Sequence, residues 1–101
     1  MPTYLFSYRM PADYVSTADT RAGWAEFFQT VSTQLEDIGA PIFARDCVGE
    51  TGPRTVLGGY TMIDAASLQQ AAALAERCPL MDHGGGVEVG ELTPPDSRPT
   101  E

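Results

Sequence analysis

Histidine and cysteine, the side chains that most often bind transition metals, are scarce in this sequence. It has one histidine, His83, and two cysteines, Cys47 and Cys78, which form neither a CxxC pair nor a disulfide-dense framework. One histidine without clustered cysteines or spaced carboxylates falls short of a metal-ligand set, so we expect no metal and no other cofactor. Two isolated thiols in an intracellular chain are typically small buried hydrophobic residues, and we expect both to be buried.

Basic residues are also few. Six basic residues are outnumbered by fourteen acidic ones, which gives a net charge of −8, and the arginines form no cluster. Such a chain repels phosphate backbones and anionic lipids, so we expect no nucleic-acid partner. No apolar run approaches the ~20 residues that cross a bilayer, and the N-terminus leads into a strand pattern instead of a signal peptide. We therefore expect a soluble, cytoplasmic protein without membrane association.

The length of 101 residues fits one domain, because single hydrophobic cores are usual at roughly 100 to 150 residues. Hydrophobic residues make up 43% of the chain, enough for a core, although a core this small gains from burying a face against a partner. The segment 94–101 is polar and rich in proline and predicts a flexible tail. The predicted domain therefore covers residues 1–93.

Alternating β-favouring and apolar residues predict four strands. Their ranges are Thr3–Met10, Pro41–Val48, Arg54–Asp64 and Gly85–Leu92. Two glycines in the middle of the third strand, Gly58 and Gly59, predict a bulge or a close approach of another backbone. The second and third strands are expected to pair as a hairpin.

Two helices are predicted between the strands. Apolar residues at steps of three and four indicate a long helix over Asp19–Ile38, with Asp19 or Thr20 as its cap and Gly39 at its C-terminal end. Ser67 with Gln70 three residues later is a capping-box pattern that begins a second helix, which Pro79 ends.

The order β-α-β-β-α-β is that of the ferredoxin-like α+β fold, in which right-handed crossovers place both helices on one face of an antiparallel sheet. The other face is then uncovered. Because the strands carry apolar and aromatic residues on both faces, we expect the open face to be buried against a second copy of the chain, giving a homodimer.

Two stretches of the second half of the chain resemble the C-terminal half of YCII-related domains, also called DGPF-type proteins. They are Gly58-Gly59-Tyr60-Thr61-Met62-Ile63-Asp64-Ala65, followed by Ser67-Leu68, Ala71, Ala75 and Cys78-Pro79, and His83-Gly84-Gly85-Gly86-Val87-Glu88-Val89. Trp24 and Phe28 extend a weaker resemblance over residues 3–92. The resemblance implies a ferredoxin-like monomer that dimerises through its open sheet face into a dimeric α/β barrel, with a cleft for a small organic molecule.

In family members that are enzymes, a His and Asp pair in the cleft is implicated in acid–base chemistry, with the His near the first helix. This chain has Arg21-Ala22-Gly23-Trp24 at that helix and Thr51-Gly52-Pro53-Arg54 in place of the DGPF-like turn. The departure concerns the residues that would carry catalysis, whereas the motifs that indicate the fold are present.

His83 is the candidate general base, because imidazole is the side chain whose ordinary pKa lies near neutrality. Asp82 precedes it and would orient the ring if the chain turned sharply at the glycines that follow. A pocket-lining role without catalysis, and a structural or exposed position in a loop, are the alternatives for His83.

Three further residues are candidates for binding a substrate: Arg9, Trp24 and Tyr60. An arginine in a strand needs a carboxylate, either from a substrate or from the protein, and the internal candidates are Asp13, Asp46, Glu88 and Glu91. Trp24 belongs to an aromatic stripe with Phe27 and Phe28 that is more typical of a core than of a ligand site. Tyr60, like Tyr4 and Tyr8, suits a dimer interface or a ligand cleft equally.

No spacing of residues identifies a reaction. The first hypothesis is a homodimer that binds a small organic molecule in a cleft and acts as a cofactor-independent acid–base enzyme of the isomerase or lyase type, with His83, Asp82 and Arg9 in its site. The second is a non-catalytic module that senses a ligand or interacts with another protein. A cofactor-independent monooxygenase is a third, supported by fold analogy alone.

Overall fold

The computed structural model describes residues 1–52 and 54–97, and in these ranges four strands form one antiparallel sheet in the order β2-β3-β1-β4. The elements along the chain are β1 (Thr3–Met10), α1 (Ala18–Thr30), β2 (Leu35–Pro41), β3 (Val56–Asp64), α2 (Leu68–Ala75) and β4 (Gly86–Leu92). This is the predicted ferredoxin-like α+β fold. A short 3₁₀ helix lies at Pro95–Ser97, and the rest of the predicted tail, residues 98–101, lies outside the described residues.

The core lies between the sheet and the helices. Tyr4, Phe6 and Tyr8 of β1 are buried, whereas the residues between them are only half-buried, as expected for a strand whose alternate side chains point to opposite faces. The buried face of β1 packs with apolar residues from both helices, from β3 and from the segments that follow each helix, including a short 3₁₀ helix at Pro79–Asp82. These residues include Phe27, Val31, Ile63, Ala71, Ala75 and Leu80.

The two glycines of β3 form the bulge and the close backbone approach that the sequence predicts. Tyr8 pairs with Gly59 and Arg9 pairs with Leu57, so Gly58 is the extra residue of a bulge. A Cβ on Gly58 would lie 2.6 Å from the sulfur of Met10. Gly59 has φ of 153°, and a Cβ there would lie 2.8 Å from the carbonyl oxygen of Ala40 in β2, so a larger residue would push the two strands apart.

Helix α1 begins and ends earlier than the sequence predicts. Its cap is Thr17: the Thr17 hydroxyl accepts from the Thr20 N–H at 3.1 Å, and the Thr20 hydroxyl accepts from the Thr17 N–H at 2.7 Å. The expectation that Asp19 or Thr20 is the cap is therefore wrong, although Thr20 closes the capping box. The helix ends at Thr30, and residues 31–34 form a turn.

The second strand lies where the sequence predicts the end of a helix. Leu35 pairs with Ile63 and Asp37 with Met62 of β3. The predicted helix over Asp19–Ile38 is therefore correct only as far as Thr30, and of the predicted strand over Pro41–Val48 only Pro41 belongs to β2. Leu35 and Ile38 satisfy the helical spacing from Val31, but the backbone hydrogen bonds are made with the edge of the sheet. Gly39, expected at a helix end, lies inside β2 with φ of 76°, and residues 42–50 have no regular structure.

Helix α2 begins with its predicted cap. The Ser67 hydroxyl accepts from the Gln70 N–H at 3.1 Å, and the Gln70 side chain accepts from Ala66 instead of from Ser67. Cys78 beyond the helix is buried, and burial raises the pKa of its thiol to about 11. Cys47 is exposed, so its expected burial is wrong. In the described part of the chain, no helix combines the length and apolarity that a bilayer crossing requires.

Candidate functional site

A cavity of about 430 Å³ lies between α1 and the end of the sheet where β1 and β2 finish and β3 begins. Pockets for small molecules typically measure roughly 300 to 1,000 Å³ and are mostly apolar with a few polar groups. Side chains from α1, from the end of β1 and from the loop after β1 form one part of its lining. The rest comes from β2 and the loop that follows it, residues 38–43 and 45, and from residues 58–60 of β3.

Four aromatic residues, Tyr8, Tyr14, Trp24 and Phe28, line the cavity on the helix side. The Trp24 ring meets Tyr8 edge-on at a centroid distance of 4.9 Å and stacks on Phe28 at 5.8 Å with 28° between the planes. Both arrangements are favourable for aromatic rings. The helical spacing of Trp24 and Phe28 places both rings on the side of α1 that faces the cavity, whereas Phe27 is buried in the core.

Trp24 also positions a polar group of the cavity, the hydroxyl of Tyr14. Its Nε1–H donates to the hydroxyl oxygen of Tyr14 at 3.0 Å. Because this oxygen accepts from Trp24, its own proton can be donated to a ligand. The lining is otherwise poor in polar groups, so this hydroxyl can orient a ligand as well as bind it.

A second hydrogen-bond chain joins the cavity to β2. The Tyr8 hydroxyl donates to Thr61 Oγ1 at 2.7 Å, and the Thr61 hydroxyl donates to the Ile38 carbonyl oxygen at 2.9 Å. Burial raises the pKa of the Tyr8 phenol well above its ordinary value. Tyr8 is therefore protonated near neutral pH, and its role in this arrangement is to fix the position of β2.

The loop after β2 forms the outer rim. Phe43 lines the cavity although its side chain is 85% exposed. Arg45, also exposed, donates from Nη1 to the carbonyl oxygens of Ile42 at 3.1 Å and Phe43 at 3.4 Å. The arginine therefore bonds to the backbone of its own loop at the mouth of the cavity.

The structure brings two of the five predicted site residues to the cavity. Trp24 and Tyr60 line it, and Tyr60 pairs with Ser7 in the sheet, which places it in the set of residues on the open face. His83 and Asp82 are exposed and do not line the cavity. The His83 ring lies edge-on to Tyr14 at a centroid distance of 5.9 Å, so it touches a residue of the site. Their catalytic role stays a prediction.

Arg9 lies elsewhere, and the expectation of an internal carboxylate partner is wrong. Its Nε donates to Thr55 Oγ1 at 3.2 Å, and its Nη2 donates to the carbonyl oxygens of Thr55 at 2.9 Å and Thr51 at 3.4 Å. None of Asp13, Asp46, Glu88 and Glu91 takes part in these bonds. Arg9 therefore anchors the segment before β3, and it does not line the cavity.

Several lining residues are absent from the sequence-based set of candidates, chiefly Tyr14, Phe28 and Arg45. Tyr14 and Arg45 lie in loops, where neither period nor spacing carries a signal. Phe28 shares the aromatic stripe with Trp24 and Phe27, but the helical period alone does not separate Phe28, which lines the cavity, from Phe27, which is buried in the core. Across residues 1–52 and 54–97, no three metal-ligating side chains of the His, Cys, Asp or Glu type come together.

Comparisons with known proteins identify a matching family and a solved structure of similar fold. The family model of the YCII-related domain matches residues 1–94. The structure of 5-chloro-2-hydroxyhydroquinone dehydrochlorinase from Burkholderia phenoliruptrix, in complex with 2,5-dihydroxybenzoquinone, superposes with a TM-score of 0.63. The alignment covers 92% of this chain and 94% of that protein at 15% sequence identity, so this likeness concerns the fold alone. No curated protein sequence matches the chain.

Proposed function

The chain belongs to the YCII-related domain family, and we propose that it binds a small aromatic or quinonoid molecule in the cavity between α1 and β2. The observation that carries the proposal is the aromatic lining: Tyr8, Trp24 and Phe28 form a continuous set of ring contacts around a space of about 430 Å³. A flat ring would add stacking and edge contacts to this set. The Tyr14 hydroxyl would donate to an oxygen of the ligand.

The structural neighbour agrees with this class of ligand. The dehydrochlorinase was solved with a dihydroxylated quinone, a flat ring bearing oxygen acceptors. At 15% identity the specific ligand does not transfer to this chain. The class of ligand is supported by the cavity itself, which offers rings for a flat molecule and a hydroxyl for its oxygen.

Calorimetric titration with hydroquinone tests the proposal. We expect saturable binding, and much weaker binding of cyclohexane-1,4-diol, which keeps two hydroxyl groups but has no aromatic ring. Phe28→Leu should weaken hydroquinone binding roughly threefold to tenfold, the effect of one aromatic contact of about 0.5–1.5 kcal/mol. Phe6→Leu is the matched control, because the Phe6 ring is buried in the core, does not line the cavity and belongs to none of the ring pairs around Trp24 and Phe28. Equal binding of the two ligands, or equal loss in the two variants, would exclude this cavity as a site for aromatic rings.

Acid–base catalysis in the same cavity, of the isomerase or lyase type, is the enzymatic form of the proposal. Its support is the contact between His83 and Tyr14, through which the imidazole could influence a hydroxyl that meets the ligand. The alternative is a non-catalytic module that senses the ligand. His83→Gln distinguishes the two. Catalysis is indicated if the native protein converts the bound molecule and the variant binds it with the same affinity but does not convert it. A sensor is indicated if both proteins bind the molecule and neither converts it.

We also propose that two copies of the chain associate through the open face of the sheet. The support is the set of half-buried apolar residues in its central strands, Leu5, Leu57, Tyr60 and Met62. A specific interface buries at least ~1,000 Å² in total, an area that a four-stranded sheet face can supply. Sedimentation equilibrium should give a dimer for the native protein and a monomer for Met62→Glu. Leu68→Glu, at an exposed position of α2, should remain a dimer, and a monomeric native protein would contradict the proposal.

A further inference from the structure

We infer that the ligand of the cavity carries an anionic group, such as a carboxylate, and that Arg45 binds it. This inference rests on the proposed function, because it assigns a class of ligand to the same cavity. It makes Arg45 a specificity-determining residue for an aromatic acid. The rings of Tyr8, Trp24 and Phe28 would contact the ring of such a ligand, and Arg45 in the loop after β2 would bind its charged group.

The charges around the cavity contrast with those of the whole chain. The protein has a net charge of −8, which disfavours the approach of anions in general. Among the described residues that line the cavity, however, Arg45 is the only charged side chain, and there is no aspartate or glutamate. The one charge in the lining is therefore positive on an acidic protein, and an anion that enters the cavity meets no carboxylate in the lining.

The guanidinium of Arg45 is partly held before any ligand arrives. Within the described residues, both of its hydrogen bonds use Nη1 and end on the carbonyl oxygens of Ile42 and Phe43. Nε and Nη2 remain able to donate. These two groups lie on one edge of the planar guanidinium, the arrangement that binds both oxygens of a carboxylate.

A purely structural role of Arg45, bonding to its own loop, would use the same two hydrogen bonds. The two roles differ in what they predict for ligands of different charge. Loss of a loop anchor weakens all ligands alike, because it alters the shape of the rim. Loss of an ion pair weakens only the anion, and lysine, which keeps the charge but not the planar donor pair, should restore part of the affinity.

The experiment is a calorimetric titration of the full chain with 2-naphthoate and with 2-naphthamide, which has the same ring system and no charge. We expect the native protein to prefer the naphthoate. Arg45→Gln should weaken naphthoate binding about twofold to fivefold, a modest factor because the side chain is exposed, and should change naphthamide binding little. Arg45→Lys should lie between the two. Arg77→Gln is the matched control, since it removes the same charge from an exposed residue outside the cavity.

The outcomes separate this inference from the proposed function. A native preference for the naphthoate that Arg45→Gln abolishes and Arg77→Gln preserves supports Arg45 as the anion-binding residue. If the native protein binds both ligands without preference, or if Arg45→Gln weakens both equally, the inference is wrong while the aromatic cavity stands. If neither naphthyl ligand binds while hydroquinone does, the inference is wrong and the aromatic cavity stands; if hydroquinone also fails to bind, both the inference and the proposed function are wrong. Equal effects of Arg45→Gln and Arg77→Gln would show a general effect of net charge and would also overturn the inference.

Discussion

The centre of the sheet and its β2 edge differ in regularity and in what they contribute. Strand β1 pairs with β3 over its whole length with a single bulge, and it pairs with β4 without interruption. Strand β2 shifts register twice against β3 and then continues into the irregular loop 42–50. The regular centre carries the buried core, whereas the irregular edge provides much of the lining of the cavity. Stability and binding are therefore assigned to different regions of one small sheet.

A core substitution gives the largest expected difference between the two regions. Phe6 in β1 is fully buried, and Phe43 beside β2 is 85% exposed. Phe6→Ala should lower the free energy of unfolding by about 3–5 kcal/mol, because it removes a buried ring and leaves a cavity. Phe43→Ala should change it by less than about 0.5 kcal/mol. Urea denaturation measures both, and comparable losses would show that the loop contributes to the core.

The two cysteines extend the comparison to pH. Burial raises the pKa of Cys78 from 9.0 to about 11, so between these pH values the unfolded chain loses a proton that the folded protein retains. The protonated Cys78 thiol therefore contributes its full stabilisation below pH 9. This contribution is lost as the pH rises to about 11, and the free energy of unfolding falls by about 2–3 kcal/mol for a two-unit shift. The raised pKa of Tyr8 acts in the same direction above pH 10.

Comparison of variants isolates the contribution of Cys78. Cys78→Ala should show a smaller loss of stability between pH 9 and pH 11 than the native protein. Cys47→Ala, which removes an exposed thiol, should follow the native curve. Parallel curves for all three proteins would mean that the Cys78 thiol is not protected by the core.

Thr61 connects the two regions, and its substitution should have the smallest of the three effects on stability. Thr61→Val removes the acceptor of the Tyr8 hydroxyl and the donor to the Ile38 carbonyl. We expect the free energy of unfolding to fall by about 2 kcal/mol, because buried polar groups are left unpaired. Hydroquinone binding should also weaken, because β2 is held less firmly. Thr30→Val removes an exposed hydroxyl that donates to Glu26 and is the matched control. Unchanged hydroquinone binding in Thr61→Val would show that the hydrogen bonds that position β2 are not needed for ligand binding.

The same division governs what could be predicted from the sequence. Strand β1, the bulge at Gly58 and the Ser67 cap follow from alternation, glycine placement and capping chemistry, all of which are local. The boundary between α1 and β2 could not be found in this way, because Leu35 and Ile38 fit a helical period as well as an edge strand. Only the pairing of Leu35 with Ile63, a contact distant in sequence, distinguishes them.

The candidate site was predictable in part for the same reason. Trp24 lies on a helix with a clear period, and Tyr60 lies on a strand, and both line the cavity. Tyr14 and Arg45 belong to loops whose positions depend on the tertiary structure, and the chemistry of an isolated tyrosine or arginine says little about its surroundings. His83 is a candidate because of the chemistry of imidazole alone, and its contact with Tyr14 places it beside the site.

The central claim is that the cavity beside Trp24 is a binding site for an aromatic ligand. Trp24 is the only tryptophan in the chain, and its indole N–H donates to the Tyr14 hydroxyl, so the NMR resonance of this N–H reports directly on the cavity. During titration with hydroquinone, this resonance should shift in a saturable way while the amides of Phe6 and Ile63 stay in place. An unchanged Trp24 resonance, with saturable shifts at Leu5 and Met62 on the open face, would contradict the account.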